Sequence, residues 1–147
     1  MQSALLTIFE RDLRKLREEI NLYSDENNIW IVEAGISNSA GNLCLHLLGN
    51  LNHFIGHGIG KTGYIRHRDD EFSLKNIPRS VLNAQIDAVI EVVKKALSGL
   101  SDADFQGDYP IEKDGKVLKM DFMLLHLMGH LSYHLGQVNY HRRLIGS

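Results

Sequence analysis

Eight histidines stand against one cysteine and one tryptophan in this chain of 147 residues. They fall in two windows: His46, His53, His57 and His67 in the first, His126, His130, His134 and His141 in the second. At about 100° per residue, His46, Asn50, His53 and His57 lie within roughly 60° of one another on a helix, and His126, His130, His134, Gln137 and His141 within roughly 80°. His130 and His134 are four apart, one turn above the other, so both imidazoles can reach one metal ion from a single helix face. A third ligand must come from another helix. His46 is the best candidate, because Leu43, Leu47 and Leu51 fix the packed side of its helix while His46 and Asn50 share the more polar line. Three neutral imidazoles without a thiolate suit Zn, Ni or Fe(II), and three protein ligands leave room for water or substrate. Asn50, His53, His126 and Gln137 are candidates for orienting the ligands, touching substrate or moving protons. For each of these the competing role is plain bundle packing and hydrogen bonding. An H-x-x-x-H pair alone is ordinary on a wet helix face. Its weight here comes from the apolar residues around it, Leu124, Leu125, Leu127, Met128, Leu131 and Leu135, and from the second histidine line.

These faces need helices to carry them. Leu5, Phe9, Leu13, Leu16, Ile20 and Tyr23 recur at helical spacing between charged residues and predict a first amphipathic helix. Residues 24–37 read as a loop, with Ser37, Asn38 or Ser39 capping a second helix through Leu43, Leu47, Leu48, Leu51 and Phe54. That helix should fray among Gly56, Gly58 and Gly60. Residues 61–76, with the cluster Arg66-His67-Arg68-Asp69-Asp70-Glu71, read as an exposed connection. Pro78 and Ser80 open a third helix through Leu82, Ile86, Val89, Ile90, Val93 and Leu97, with Gly99 after it. Between 101 and 118 the turn Lys113-Asp114-Gly115-Lys116 sits between Tyr109-Pro110-Ile111-Glu112 and Val117-Leu118, as in a small hairpin. A last helix should run from near Asp121 to Leu144 or Ile145, its Arg142-Arg143 pair a solvated end. The prediction is an all-α, four-helix bundle of one domain over residues 1–147, with an extended or hairpin excursion before the last helix. Bundles of this kind build sites from side chains on facing helices.

Composition excludes several classes. With 44% hydrophobic residues the chain is no disordered tail, and its length suits one domain that buries roughly two-thirds of its unfolded surface. Sixteen Lys and Arg against eighteen Asp and Glu give −2, which argues against a nucleic-acid partner. Ala4 to Phe9 is too short for a signal-peptide core or a membrane span, so no membrane partner and a cytoplasmic location are expected. The lone Cys44 agrees with a reducing compartment, and equally with a disulfide-free exported protein. Gly56 to Thr62 looks like a phosphate loop only at its Gly-Lys-Thr end. The motif requires glycine where Ile55 stands, and a strand before it, so helix termination is the better reading.

His46-Leu47-Leu48-Gly49-Asn50-Leu51 and His130-Leu131-Ser132-Tyr133-His134-Leu135-Gly136-Gln137 together resemble the DinB-like superfamily, which includes YfiT-type metal-dependent hydrolases. The pattern is a helix-two histidine followed late in the chain by His-x-x-x-His-x-Gly-Gln, and the likeness spans essentially the whole chain. It departs at His134-Leu135-Gly136-Gln137 in no ligand position, but His53, His57 and His126 are additional. The resemblance implies an up-down-down-up bundle, a homodimer, and a divalent ion on His46, His130 and His134. It also implies a small-molecule substrate, including low-molecular-weight thiols, with transfer of a thiol or a hydrolysis as the reaction. A non-catalytic metal-binding or ligand-binding dimer is the alternative.

Overall fold

The computed structural model describes residues 1–146, and among them the regular structure is helical. Four long helices form the body: α1 (Gln2–Asn21), α2 (Ala40–Leu51), α4 (Arg79–Ser98) and α6 (Met120–His141). Two short ones, α3 (Arg68–Ser73) and α5 (Asp102–Gln106), lie in the connections. α1 packs on α4 and α6, and α2 packs on the same two helices. The apolar line foreseen on α1 is buried from Leu5 to Ile20, and Leu82, Ile86, Val89, Ile90, Val93 and Leu97 of α4 close the core against it.

α2 is the centre of the molecule, buried at every position from Ala40 to Leu51. Ser39 caps it, its hydroxyl accepting from the Asn42 N–H at 3.1 Å, as one of the three candidate caps should. Gly41 has a packing reason: a Cβ there would come within 2.6 Å of the Trp30 ring, which lies flat on the helix. Trp30 ends a short 3₁₀ helix (Glu26–Trp30) capped by Asp25, so the expected loop 24–37 is partly ordered.

Three other expectations need correction. α2 does not fray at its glycines but passes into a π-helical turn, Asn52–His57, in which Gly58 donates to the His53 carbonyl at 2.9 Å. Residues 61–76 are mostly exposed, as expected, but they carry a short helix: α3 packs on α2, fastened by Asn42 Nδ2, which donates to the Glu71 carbonyl at 3.0 Å and the Leu74 carbonyl at 2.9 Å. And Arg142 is not merely solvated, because its guanidinium holds the buried Glu19 carboxylate at 2.5 Å, tying the end of α6 to α1.

The excursion before α6 is hairpin-like without regular strands. Asp108 pairs with Lys119 and Lys113 with Lys116 as isolated antiparallel bridges. Asp114 and Gly115 both take positive φ, 52° and 74°, the combination a two-residue hairpin turn of type I′ requires. No helix is long and apolar enough to cross a membrane among the described residues.

Candidate metal centre

His46, His130 and His134 come together where α2 meets α6. One ring nitrogen from each lies within 4.8 Å of the others. The three rings stand nearly perpendicular to one another, with interplanar angles of 80°, 82° and 88°. Their Nε2 atoms approach closely in one pair, His46 to His130 at 3.1 Å. Two neutral imidazoles at this distance put at least one lone pair toward the other ring, an arrangement that a shared cation satisfies.

The second nitrogen of each ring decides what the first can do, because a neutral imidazole has one N–H and one lone pair. His46 Nδ1 lies 3.0 Å from Glu71 Oε1. A carboxylate only accepts, so Nδ1 carries the proton and Nε2 the lone pair. The same argument holds for His134, whose Nδ1 faces Gln137 Oε1 at 2.7 Å. Both candidate ligands are therefore set in the tautomer that metal binding would need, one by a carboxylate and one by a side-chain carbonyl. His130 Nδ1 is buried and has no partner.

Glu71 is itself held from the other side. Arg66 donates from Nε to Oε2 at 2.8 Å and from Nη2 to Oε1 at 2.9 Å, a two-point grip that keeps the carboxylate fixed. Burial works to raise the Glu71 pKa, but the hydrogen bonds from His46 and Arg66 outweigh it and hold the group below its ordinary value. The carboxylate fits against α2 only because position 49 is glycine: a Cβ on Gly49 would collide with it. Phe72 lies against the His46 ring, 4.9 Å between centroids, and covers the same side.

The electrostatics disfavour protonation of the two α6 histidines. Burial lowers the His130 pKa to about 4, and the neighbouring His134, His46 and His126 and the Arg66 charge push the same way. Burial also lowers His134, against the Gln137 hydrogen bond, which raises it. Three imidazole nitrogens close together, two of them with Nδ1 committed to an oxygen, are a donor set that could hold a divalent ion.

Of the remaining candidate residues, Gln137 is joined to the cluster through His134, although its side chain is otherwise exposed. Asn50, His53 and His126 line a cavity of about 460 Å³ that opens beside His46 and His130. Asn50 is buried with Oδ1 unpartnered, and His53 is half-buried with Nδ1 unpartnered. Burial lowers the His53 pKa, and the Arg66 charge adds to the shift. His126 is exposed and stacked on Phe122. A second cavity, of about 920 Å³, reaches His134 and Gln137 between the 31–38 loop and α6. His141 lies deeper in that direction and is structural: Nε2 donates to the Ile31 carbonyl at 2.8 Å, which leaves Nδ1 to accept from the Tyr23 hydroxyl at 2.5 Å.

Glu71, Arg66 and Gly49 are the functional residues that the sequence did not single out. Glu71 and Arg66 sit in a mixed charge cluster that reads as solvated. The available signal was Gly49 itself, a helix-interior glycine three residues after a candidate ligand.

A family described as a protein of unknown function (DUF1572) matches residues 4–147. No curated protein matches the chain, and no solved structure does.

Proposed function

The chain belongs to the DUF1572 family, and from that premise and the geometry of the histidine cluster we propose that it is a divalent-metal enzyme of DinB-like type, with the ion on His46, His130 and His134. The observation that carries the reading is that Glu71 and Gln137 fix two of the three imidazoles with their Nε2 lone pairs available. Isolated core histidines do not need this matched orientation. The donor set, all nitrogen and neutral, favours Zn, Ni or Fe(II).

A bound ion would supply Lewis acidity, making a water or a thiol a better nucleophile at neutral pH. The protein's own part is positional. Arg66 holds Glu71, Glu71 orients His46, and Gln137 orients His134, so the ligands need no reorganisation on binding. Asn50 and His53 present unpartnered polar atoms beside the cluster, where a substrate can be hydrogen-bonded or a proton passed. The reaction class is transfer of a thiol to an electrophile or a hydrolysis, on a small molecule that enters the 460 Å³ cavity.

The up-down-down-up order and a homodimer complete the DinB-like reading. Support for a second copy comes from α6, where Phe122, Leu125, Tyr133 and Tyr140 are exposed together with Leu144 beyond it. With about 150–250 Å² available per aromatic side chain, this stripe offers roughly 600 Å². A standard interface uses about 800 Å² per partner.

The test is elemental analysis of the full chain purified without a histidine tag. Near-stoichiometric metal is expected, and His130→Ala with His134→Ala should remove it while the helical circular dichroism remains. Unchanged metal content in the double variant overturns the assignment. Turnover of a panel of low-molecular-weight thiols with electrophiles, and of ester and amide substrates, should then depend on His46. Stoichiometric metal with no turnover on either panel would favour the non-catalytic alternative.

A further inference from the structure

The charged groups around the 460 Å³ cavity pair off unevenly. Arg66 is taken by Glu71, and Lys113 stands 3.1 Å from Asp114. Two cavity-lining ionised side chains then have no ion-pair partner among the described residues, Arg68 and Glu112. Arg68 is the first residue of α3, its guanidinium 5.2 Å from the centre of the Phe72 ring. Glu112 belongs to the excursion before α6. That segment is held in place by its own bonds: Tyr109 N–H donates to the Leu118 carbonyl at 2.7 Å, Met120 N–H to the Gly107 carbonyl at 3.0 Å, and Lys113 N–H to the Lys116 carbonyl at 2.9 Å. The two charges line the same cavity without pairing with each other.

The same cavity is also lined by unsatisfied polar atoms. Asn50 is 7% exposed, yet its Oδ1 has no partner, and neither has the buried Nδ1 of His53. A buried polar atom left unpaired is costly, so the cavity favours contents that can hydrogen-bond. A purely anionic ligand would satisfy Arg68 and be opposed by Glu112. A purely cationic one would meet the reverse. We infer that the cavity accepts a zwitterionic small molecule, its carboxylate on Arg68, its ammonium on Glu112 and a polar middle against Asn50 and His53. Amino acids and short peptides are the simplest members of that chemical class. The inference rests on the metal-centre reading only for where the ligand would react, since His46 and His130 line the same cavity.

Three dipeptide derivatives that differ in which terminal charge they carry provide the test: glycylglycine, N-acetylglycylglycine without the ammonium, and glycylglycinamide without the carboxylate. Each is titrated calorimetrically into the full-length protein, as purified and after chelation of metal. Glycylglycine should bind about tenfold more tightly than either of the others, because each charged hydrogen bond contributes on that scale. Arg68→Gln should abolish its advantage over glycylglycinamide, and Glu112→Gln its advantage over N-acetylglycylglycine. Equal or absent binding of all three in the millimolar range, or an unchanged ranking in both variants, overturns the inference. A parallel zinc titration separates the two readings. Loss of zinc binding with the ranking intact brings down the metal centre alone, and zinc binding without the ranking brings down the zwitterion alone.

Discussion

Gly49→Ala puts two physical expectations in direct opposition. On helix propensity alone, alanine in place of glycine within a helix should stabilise by about 1 kcal/mol. In this fold the new methyl would collide with the Glu71 carboxylate and stand 2.6 Å from its carbon. The carboxylate cannot swing away cheaply, because Arg66 holds it at 2.8 and 2.9 Å and His46 at 3.0 Å, and the residue is only 6% exposed. Displacing it leaves a buried guanidinium without its partner, a loss of about 3–5 kcal/mol. Set against the propensity gain, the net expectation is destabilisation by roughly 2–4 kcal/mol, which at this chain length lowers Tm by roughly 5–15 °C. Urea unfolding of chelated protein measures the first quantity and a thermal melt the second. Zinc affinity should fall about 10- to 100-fold, because His46 loses the group that fixes its tautomer. The specific control is Glu71→Ala: in that background Gly49→Ala should be neutral or stabilising. Gly49→Ala with wild-type or higher stability, or with the same cost in the Glu71→Ala background, would refute the account.

Glu19 gives a pH dependence of definite sign. Burial raises its pKa, but hydrogen bonds from Arg142 and Asn139 prevail and hold it below the ordinary carboxylate value. A folded-state pKa depressed in this way contributes stability above the unfolded value of about 4.3, lost as pH falls through the folded value. Glu19→Gln should therefore lower stability at pH 7 and flatten its fall in acid, as urea midpoints across that range will show. Gly41→Ala should push the Trp30 ring off α2, visible as a red-shifted tryptophan emission, since Trp30 is the chain's one tryptophan. An unshifted spectrum would contradict the packing described. Tyr140→Glu, on the exposed stripe of α6, should convert the proposed homodimer to monomer in sedimentation with helical content retained; a monomeric wild type, or a dimer that persists in this variant, would refute the α6 interface.

The parts of the fold that repeat with a period were legible in the sequence, and the parts that depend on contacts between elements were not. Leu5 to Ile20 and Leu82 to Leu97 announce buried helix faces because burial imposes a 3.6-residue rhythm. The turn at Asp114-Gly115 is legible for a local reason, since those residue types tolerate positive φ. His46, His130 and His134 could be grouped because helical spacing puts the second and third on one face and only another helix could supply the first. Glu71 had no such signal. In Arg66-His67-Arg68-Asp69-Asp70-Glu71 every residue has the composition of a solvated segment, and only the fold shows that Asn42 anchors this stretch to α2 and that Gly49 leaves space for one of its carboxylates. Arg142 is the same case at the other end of the chain, a charge whose partner lies 123 positions away.

The asymmetry among the three histidines bears on how the cluster works. His46 and His134 each spend Nδ1 on an oxygen, so their lone pairs are aimed before any ligand arrives. His130 has no such anchor on Nδ1, and with the lone pair on His46 Nε2 the 3.1 Å contact between the two Nε2 atoms has His130 donating, so an ion taken there must move that proton to Nδ1. If Nε2 is given to an ion, Nδ1 must carry the proton, and a buried N–H then requires an acceptor. Asn50 presents an unpartnered acceptor on the wall of the cavity that His130 also lines. A hydroxyl or water in that space can accept from His130 and donate to Asn50, satisfying both atoms at once. If an ion binds as proposed, its binding and the filling of the cavity would be coupled through His130 and separable at His134, which Gln137 already completes. Substitution of Asn50 by Leu should accordingly weaken metal binding through His130 without touching a ligand, and substitution of Gln137 by Leu should do so independently of what the cavity holds.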